Sequence, residues 1–577
     1  MKKHPFLNRY ILNHKKDVVF ICLFITLYLL SQLSQPFIIG NMLDNALKGN
    51  KEWFIGELIA LASLSVIGIF SNYIFEYLSG LLTQKVIYQI RQDVFEKYNS
   101  ISIETMHKYS LGDLLQLEIN DMENIANGIF AIFKSFIEGI IAIIITIIVM
   151  LYINWILALG VIILTPLSVL MSRFVGKFSH THFKKQAKLQ AELNSVSLES
   201  ITNSEILASF NFEERSNARF LEKNKELAKE ARIAQFSASW VNPSTRLVNN
   251  TIYAIIGIVG IVLILYSTDN TLIALLAIMS IGKLSSFLSY TSQYSKPFND
   301  ISSIIGEYEV MKSSIGRIMN FLNEPDDVDD GKEEIESIKS ITFKDMSFSY
   351  NKNKKLIKDL NLYIENGNKV AIVGPTGAGK TTLINLLMRF YDPDEGCILF
   401  NKVNGLNIKK SSLRKNFGMV LQETWIFKGT ILDNVRYANK DASDEEVIKA
   451  CEAAHLDQFV STLPKGYDTV ISSNDGLSIG QRQMISIARV MLTNPDIVLL
   501  DEATSNIDTR TERLINDSFD EMMKNKTSIV IAHRLSTIRD ADIILVLKDG
   551  DIIEKGNHIE LLEKKGFYYS MYMSQFK

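Results

Sequence analysis

Long apolar stretches alternate with charged segments in the N-terminal half of the chain, and their lengths predict helices that cross a membrane. A helix needs about 20 apolar residues to span the hydrocarbon core of a bilayer. Six stretches approach this length, namely residues 18–40, 54–78, 128–153, 156–176 and 247–266, and a sixth between 271 and 303 whose limits the pattern leaves open. We therefore predict an all-α transmembrane domain of six helices.

The connections between these stretches carry unequal positive charge. Residues 79–127 and 177–246 are rich in Lys and Arg, whereas residues 41–52 contain two lysines and the fifth connection contains no Lys or Arg before Lys283. Positively charged connections favour the cytoplasmic side of a membrane. We therefore predict a multi-pass protein of the cell membrane with both termini and both long connections in the cytoplasm.

The two long connections are predicted to be helical. Their apolar positions recur at helical spacing with charges between them, so the spanning helices should continue beyond the lipid. The spacing is interrupted at residues 111–115 and 204–213. We interpret these interruptions as short elements that dock onto the C-terminal half of the chain, with plain turns between helices as the alternative.

Several ionisable residues lie in or near the predicted spans. Lys134 and Glu138 are four positions apart on one helix, a spacing that allows an ion pair at the inner boundary of the membrane. Lys283 depends on the limits of the sixth span. It lies in the middle of the membrane if the span covers 271–290, and at the outer boundary if the span covers 281–303.

After the last apolar stretch the composition changes twice. Residues 321–340 are rich in Asp and Glu and contain Pro325 and Gly331, which predicts a solvated acidic linker. Beyond it, short apolar runs alternate with helical patterns, as in a soluble α/β domain. We predict a transmembrane domain over 1–320, the linker over 321–340 and the α/β domain over 341–577.

A glycine-rich segment lies between the apolar run 369–373 and the helical pattern 383–389. Glycines allow the backbone to wrap a polyphosphate, and the first amides of the helix point at its anionic oxygens. Lys380 is placed to reach the β- and γ-phosphates, and the Thr381 hydroxyl to bind Mg²⁺. The predicted nucleotide-binding residues are Gly374, Pro375, Thr376, Gly377, Ala378, Gly379, Lys380, Thr381 and Thr382.

A second apolar run, 496–500, ends in two acidic residues. A buried strand would deliver both carboxylates to the edge of the sheet where the glycine-rich segment lies. Asp501 would then bind Mg²⁺, and Glu502 would polarise the water that attacks the nucleotide. The segments 477–481 and 529–534 lie on either side of this run in the sequence.

Charge and cysteine content exclude other classes of site. The net charge is −3, and the positive residues are dispersed along the chain, so no nucleic-acid surface is predicted. Cys22, Cys397 and Cys451 are isolated, and no spacing typical of a disulfide framework or a zinc site is present.

Together these motifs resemble those of an ABC transporter. Residues 341–577 are similar to its nucleotide-binding domain, and the six predicted spans are similar to the transmembrane domain of an exporter half. The resemblance implies ATP and Mg²⁺ as ligands and ATP hydrolysis coupled to transport. It also implies that Tyr350 stacks on adenine, and that Gln422 contributes to catalysis and binds the metal together with Thr381 and Asp501. The implied signature, which binds ATP, consists of Ser478, Gly480 and Gln481. Glu502 is implied as the catalytic glutamate, Asp508 as part of the D-loop and His533 as the switch histidine.

In this family two nucleotide-binding domains enclose two ATP molecules, so the resemblance implies a second half-transporter as partner. The signature has Ile479 where many members have glycine, and residues 469–476 depart from the usual preceding pattern. With Glu502 present, these departures resemble the catalytic half of heterodimeric bacterial multidrug exporters, and we favour a heterodimer over a homodimer.

The implied function is outward movement of a small amphipathic compound, a lipid or a peptide across the bilayer. A lipid flippase is the main alternative, and export of a processed peptide is less favoured. A soluble ATPase of the same domain family is disfavoured by the six predicted spans.

Overall fold

The computed structural model describes most of the chain as two compact units. The described residues are 6–266, 279–350, 355–375, 377–421, 424–472, 476–501, 509–531 and 538–574. One unit contains Met1–Asn99 and Tyr109–Glu324, and the other contains Ser100–Lys108 and Pro325–Lys577. The prediction of a helical transmembrane domain followed by an α/β domain is confirmed.

Helices account for nearly all of the chain up to Leu322. They are α1 (Lys15–Leu47), α2 (Lys51–Ser100), α3 (Ile103–Met106), α4 (Leu111–Leu115), α5 (Met122–Ala131), α6 (Glu138–Ile153), α7 (Trp155–Leu164), α8 (Pro166–Thr202), α9 (Ser204–Ser209), α10 (Glu213–Ser239), α11 (Val241–Tyr266) and α12 (Ile281–Leu322). π-Helical turns at Gln116–Asp121 and Ile132–Ile137 join α4, α5 and α6 into one long rod.

Among the described residues, four helical stretches are long and apolar enough to cross a membrane. They are Arg9–Leu47, Glu52–Ser100, Leu111–Ile153 and Glu213–Leu265. The fourth predicted span begins in the shorter apolar helix Trp155–Ser168. The turn before it is tight because the Asn154 side chain accepts hydrogen bonds from the amides of Ile156 and Leu157, at 3.1 and 3.0 Å.

Helices α1 and α12 approach each other closely through small residues. A Cβ atom on Gly282 would lie 2.0 Å from the carbonyl oxygen of Gly40, so only glycine fits there. The Asp44 carboxylate accepts hydrogen bonds from the Ser280 hydroxyl at 2.5 Å and the Gly282 amide at 2.9 Å. Asp44 therefore satisfies polar groups at the start of α12 that have no partner within the helix.

Two predictions on ionisable residues can be compared with the structure. The Lys134 ammonium forms an ion pair with Glu76 of α2 at 2.9 Å, a partner that the sequence did not predict. The residues from Ile132 to Ile137 form a π-helical turn, so Lys134 and Glu138 are not at the ordinary α-helical i,i+4 spacing on which the prediction was based. Lys283 is exposed in the first turn of α12, and residues 271–278 of the alternative span lie outside the described residues.

The second unit is built on sheets. Its strands are β1 (Ser340–Phe348), β2 (Ile357–Glu365), β3 (Lys369–Val373), β4 (Glu395–Phe400), β5 (Val403–Asn404), β6 (Phe417–Val420), β7 (Gly429–Thr430), β8 (Val470–Ile471), β9 (Ile497–Asp501), β10 (Thr527–Ile531), β11 (Ile543–Lys548) and β12 (Asp551–Gly556). The main sheet has the order β12-β11-β3-β10-β9-β6 and is parallel except for β12. An antiparallel sheet has the order β2-β1-β4-β5.

The helices of this unit pack around the main sheet. They are α13 (Lys380–Leu387), α14 (Lys410–Lys415), α15 (Ile431–Arg436), α16 (Asp444–Ala453), α17 (Asp457–Val460), α18 (Ile479–Thr493), α19 (Thr509–Met523), α20 (His558–Glu563) and α21 (Phe567–Ser574). Alternate residues of each parallel strand enter different cores. Val370 and Ile372 join the core that contains α13, while Ala371 and Val373 join the core that contains α18. Burial on both faces explains the continuous apolar runs in the sequence.

The acidic segment after α12 is bound to the second unit, whereas its composition predicted a solvated connection. The Asp329 carboxylate accepts hydrogen bonds from the amides of Lys410 and Ser411 at the start of α14. Asp330 pairs with the buried Arg389 at 2.8 Å. The backbone of Gly331 packs against Ile408 so closely that a Cβ atom would lie 2.2 Å from its carbonyl group. The negative charges are therefore matched by specific donors.

Candidate nucleotide-binding site

The parallel strands of the main sheet bring together segments that are far apart in the sequence. Ile531 at the end of β10 pairs with Ile372 of β3 on one side and with Asp501 of β9 on the other. Because these strands are parallel, their carboxyl ends meet at one edge of the sheet. The glycine-rich loop after β3 and the Asp501 carboxylate therefore lie at the same edge.

The glycine-rich loop has the backbone shape that a phosphate cradle needs. Gly377 and Gly379 have φ angles of +83° and +101°, which favour glycine. Gly374 packs against the main chain, and a Cβ atom on it would lie 2.2 Å from the carbonyl oxygen of Leu547. Helix α13 begins directly after Gly379, so its first amides border the loop. The backbone at this site fits a polyphosphate.

Lys380, Thr381 and Thr382 differ in their surroundings. The Lys380 ammonium is buried and donates a hydrogen bond to the carbonyl oxygen of Gly374 at 2.6 Å, so it lies over the loop. Thr381 is exposed, whereas the side chain of Thr382 is buried. Of the two threonines, Thr381 is the one whose hydroxyl is open to a ligand.

Several predicted site residues lie outside the described residues. They are Thr376, Gln422, Glu502, Asp508 and His533. The strands that lead to three of them are described: β6 ends two residues before Gln422, β9 ends at Asp501, and β10 ends two residues before His533. Their roles remain predictions.

The signature residues form the start of α18. Ser478 caps this helix: its hydroxyl accepts a hydrogen bond from the Gln481 amide at 3.2 Å, and the Gln481 side chain accepts one from the Ser478 amide at 2.9 Å. Ser478 and Ile479 are exposed, whereas Gly480 is buried. The helix begins at Ile479.

Tyr350 is half exposed beside two other aromatic residues. Its ring lies 5.0 Å from the rings of Phe348 and Tyr391, edge-on to both. Its hydroxyl accepts a hydrogen bond from the Asn385 side chain at 3.1 Å. One part of the ring is thus held by the protein, and 52% of the residue surface remains accessible.

Sequence reasoning missed Arg489, which supports the segment after Gln422. From α18 its guanidinium donates hydrogen bonds to the carbonyl oxygens of Trp425 at 2.8 Å and Asn434 at 2.7 Å. Burial lowers the pKa of Arg489 from its ordinary value. A single arginine in an amphipathic helix carries no sequence signal for this contact.

No cluster of three or more His, Cys, Asp or Glu residues suited to a metal ion occurs in the part of the chain that the structure describes. In nucleotide sites Mg²⁺ is usually bound by one or two protein oxygens together with the phosphates. Thr381 and Asp501 are described residues that would hold the ion, and Gln422 is the predicted third.

Two family models match the chain. The one described as the ABC transporter transmembrane region matches residues 18–298, and the one described as ABC transporter matches residues 357–505. The described membrane helices fall in the first match, and the glycine-rich loop, the signature and Asp501 fall in the second.

Similar proteins include transporters from several bacteria. An uncharacterized ABC transporter ATP-binding protein of Bacillus subtilis, YfiC, is 35% identical over 576 residues, which are 98% of this chain and 93% of that protein. A fatty acid ABC transporter ATP-binding/permease protein of Mycobacterium bovis is 36% identical over 86% of this chain and 77% of its own length. An ATP-dependent lipid A-core flippase of Desulfotalea psychrophila is 30% identical over 94% of both chains.

A solved structure resembles the whole chain. It is a bacterial Atm1-family ABC exporter with ATP bound, with a TM-score of 0.79 and 26% identity, covering 97% of this chain and 98% of that one. The chain belongs to the ABC transporter family and has the exporter arrangement, a transmembrane domain fused to one ATP-binding domain. It is a multi-pass membrane protein that couples ATP hydrolysis to export, and exporters of this type work as dimers.

Proposed function

We propose that this chain is the catalytic half of an exporter that moves a lipid-like amphipathic compound out of the cytoplasm. The observation that carries the proposal is the alignment of the glycine-rich loop and Asp501 at one sheet edge, in a chain that also holds the membrane helices. Residues 1–320 form the transmembrane domain, 321–340 the acidic connection and 341–577 the ATP-binding domain. Both termini and the ATP-binding domain face the cytoplasm.

Each site residue has a separate role in ATP hydrolysis. Lys380 and the amides of the loop and of α13 bind the phosphates, and Tyr350 stacks on adenine. Thr381, Gln422 and Asp501 would hold Mg²⁺, which would neutralise charge on the phosphates. Glu502 orients the attacking water, and His533 contacts the γ-phosphate.

The proposed substrate class is supported by relatives of known activity. Two of them, named above, are described as a fatty acid transporter and a lipid A-core flippase, and both substrates combine acyl chains with a polar end. Flipping of a lipid between leaflets is the second candidate function. Two transport assays in the same vesicles separate the candidates: movement of a labelled phospholipid between leaflets without release indicates flipping, and release of a labelled amphipathic compound into the medium indicates export.

We also propose a heterodimer, in which the second half-transporter supplies a signature to the ATP held here. The observation behind this is Ile479, an exposed branched residue in the signature. Purification of the chain with and without the product of an adjacent transporter gene tests it. Full ATPase activity of the chain alone, as a homodimer, would contradict the heterodimer and leave the site assignment intact.

The catalytic assignment is tested by Glu502→Gln in the full chain. We expect ATP binding to persist and turnover to fall by about 10²–10⁴-fold, as for loss of a general base. The matched control is Glu521→Gln, a solvent-exposed glutamate on α19, which should leave both quantities unchanged. Normal turnover in Glu502→Gln would remove Glu502 from the mechanism.

A further inference from the structure

His107 lies in the connection between the second and third membrane spans. It contacts the aromatic cluster formed by Phe348, Tyr350 and Tyr391. The segment Ser100–Lys108 belongs to the same compact unit as the ATP-binding domain. The Nδ1 atom of His107 lies 2.7 Å from the hydroxyl oxygen of Tyr391. The two groups form one hydrogen bond, in which the tautomer of His107 determines the donor.

Tyr391 in turn contacts Tyr350. The two rings are 5.0 Å apart and nearly perpendicular, at 89°, which is the favourable edge-to-face arrangement. Tyr391 is 7% exposed and is therefore fixed by its surroundings, whereas Tyr350 is half exposed. The orientation of Tyr350 thus depends on Tyr391 on one side and on the hydrogen bond from Asn385 on the other.

The segment that carries His107 is itself anchored. The Ser100 hydroxyl donates a hydrogen bond to Asp326 at 2.6 Å, and the Asp327 amide donates one to the Ser100 carbonyl, also at 2.6 Å. The Ser102 hydroxyl caps α3 by accepting from the Thr105 amide at 3.2 Å. His107 follows this short helix directly, so these contacts restrict its position within the second unit.

We infer that His107 is a positioning residue for the adenine base: through Tyr391 it sets the orientation of Tyr350, so that the segment Ser100–Lys108 controls the affinity for ATP. The inference rests on the proposed role of Tyr350. It differs from the sequence prediction, which placed docking elements at 111–115 and 204–213; the residues grouped with the ATP-binding domain are 100–108. The short capped helix α3 gave too little apolar pattern to be recognised.

The test uses the full-length transporter with the variants His107→Ala and Tyr391→Phe. We expect the KM for ATP to rise about three- to tenfold, the range for loss of the favourable geometry of one aromatic contact, here between Tyr391 and Tyr350, while kcat changes less than twofold. Inhibition by tripolyphosphate, which lacks a base, should keep its Ki. His107→Asn, whose side-chain amide lies near the Nδ1 position, should restore most of the affinity for ATP.

A second pair of the same kind provides the control. His558 and Tyr568, between α20 and α21, are joined by an Nδ1 to hydroxyl distance of 2.8 Å. His558→Ala and Tyr568→Phe should leave the KM for ATP unchanged. An equal rise in KM in these variants, or a parallel rise in the tripolyphosphate Ki in the first set, indicates a structural effect and overturns the inference.

Tyr350→Ala separates the inference from the function on which it rests. If Tyr350→Ala raises the KM for ATP but His107→Ala and Tyr391→Phe do not, His107 is not a positioning residue and the adenine role of Tyr350 stands. If Tyr350→Ala has no effect on the KM, the adenine role itself fails. Tyr391→Phe keeps the ring and the packing, so the test holds even if His107→Ala does not fold.

Discussion

The carboxylate of Asp121, which is completely buried, accepts two hydrogen bonds from the guanidinium of Arg317, at 2.9 and 2.5 Å. The Ser314 hydroxyl donates a third at 2.8 Å. Asp121 ends the π-helical turn before α5, and Arg317 lies near the end of α12, so this contact ties two segments of the helical unit together. These donors stabilise the buried carboxylate, and their removal would leave a buried charge without compensation.

Removal of the arginine should therefore destabilise the helical unit. We expect Arg317→Met to lower the free energy of unfolding by about 2 kcal/mol, because a buried carboxylate is left without its ionic partner. The double variant with Asp121→Asn should recover part of this loss. Thermal unfolding in detergent measures both, and an unchanged melting temperature in Arg317→Met would contradict the role of this pair.

The close approach of α1 and α12 predicts that replacing two glycines of α12 by alanine has opposite effects on stability. Gly282→Ala places a methyl group 2.0 Å from the Gly40 carbonyl oxygen and should cost about 1–3 kcal/mol. Gly316→Ala on the same helix has open space around its Cβ atom and should stabilise by about 0.5–1 kcal/mol. Melting temperatures of the two variants should shift in opposite directions, and equal shifts would exclude close packing at Gly282.

The attachment of the acidic segment is tested at Asp329. Asp329→Ala removes the side chain that caps α14, at a cost of about 1 kcal/mol, and should speed hydrogen exchange in residues 326–336 and 410–415. Glu336→Ala is the control, since Glu336 is exposed in the same acidic segment. Equal exchange in the two variants would indicate that charge, and not the cap, holds the segment.

The same residue predicts a pH dependence. Burial raises the pKa of Asp329, but hydrogen bonds from the Ser411 hydroxyl and from the Lys410 and Ser411 amides outweigh it and hold the pKa below its usual value. The stabilisation is therefore complete above the unfolded pKa, about 3.9, and is lost as the pH falls through the folded pKa. The difference in melting temperature between wild type and Asp329→Asn should be constant from pH 8 to 5 and narrow below about pH 4.

Two glycines of the nucleotide loop should differ when replaced. Gly374→Ala forces a methyl group to 2.2 Å from the Leu547 carbonyl oxygen, so we expect both a lower melting temperature and loss of measurable ATP binding. Gly377→Ala meets open space and carries only the strain of its positive φ, about 1–2 kcal/mol. The affinity of Gly377→Ala for ATP should therefore fall less than that of Gly374→Ala. Titration with a fluorescent ATP analogue gives both affinities, and the reverse order would contradict the geometry of the loop.

The signature can be separated from ordinary helix capping. Ser478 and Ser443 make the same capping box, at the starts of α18 and α16. Replacement of either serine by alanine should lower the free energy of unfolding by about 1 kcal/mol. Only Ser478→Ala should also reduce ATPase activity, because in the proposed dimer Ser478 contacts ATP. Equal ATPase activities in the two variants would limit Ser478 to a structural role.

The sequence alone determined the apolar stretches of the transmembrane domain, the α/β character of the second half and the order of the nucleotide-binding motifs. Each of these depends on residue types and spacing within a short window, and burial in lipid or in a sheet core selects them directly. The positive φ angles of the glycine-rich loop needed no tertiary information, because Gly377 and Gly379 themselves permit them.

Only the tertiary structure decided which distant segments meet. The pairing of Lys134 with Glu76, the attachment of Asp329 to α14, and the position of His107 beside Tyr391 join residues that no short window contains. The sequence predicted that Asp501 lies beside the nucleotide loop. Only the structure shows that β10 lies between the two strands and that its residue Ile531 pairs with Asp501. Such contacts depend on sheet order, helix register and the packing of whole elements, which the local sequence pattern does not specify.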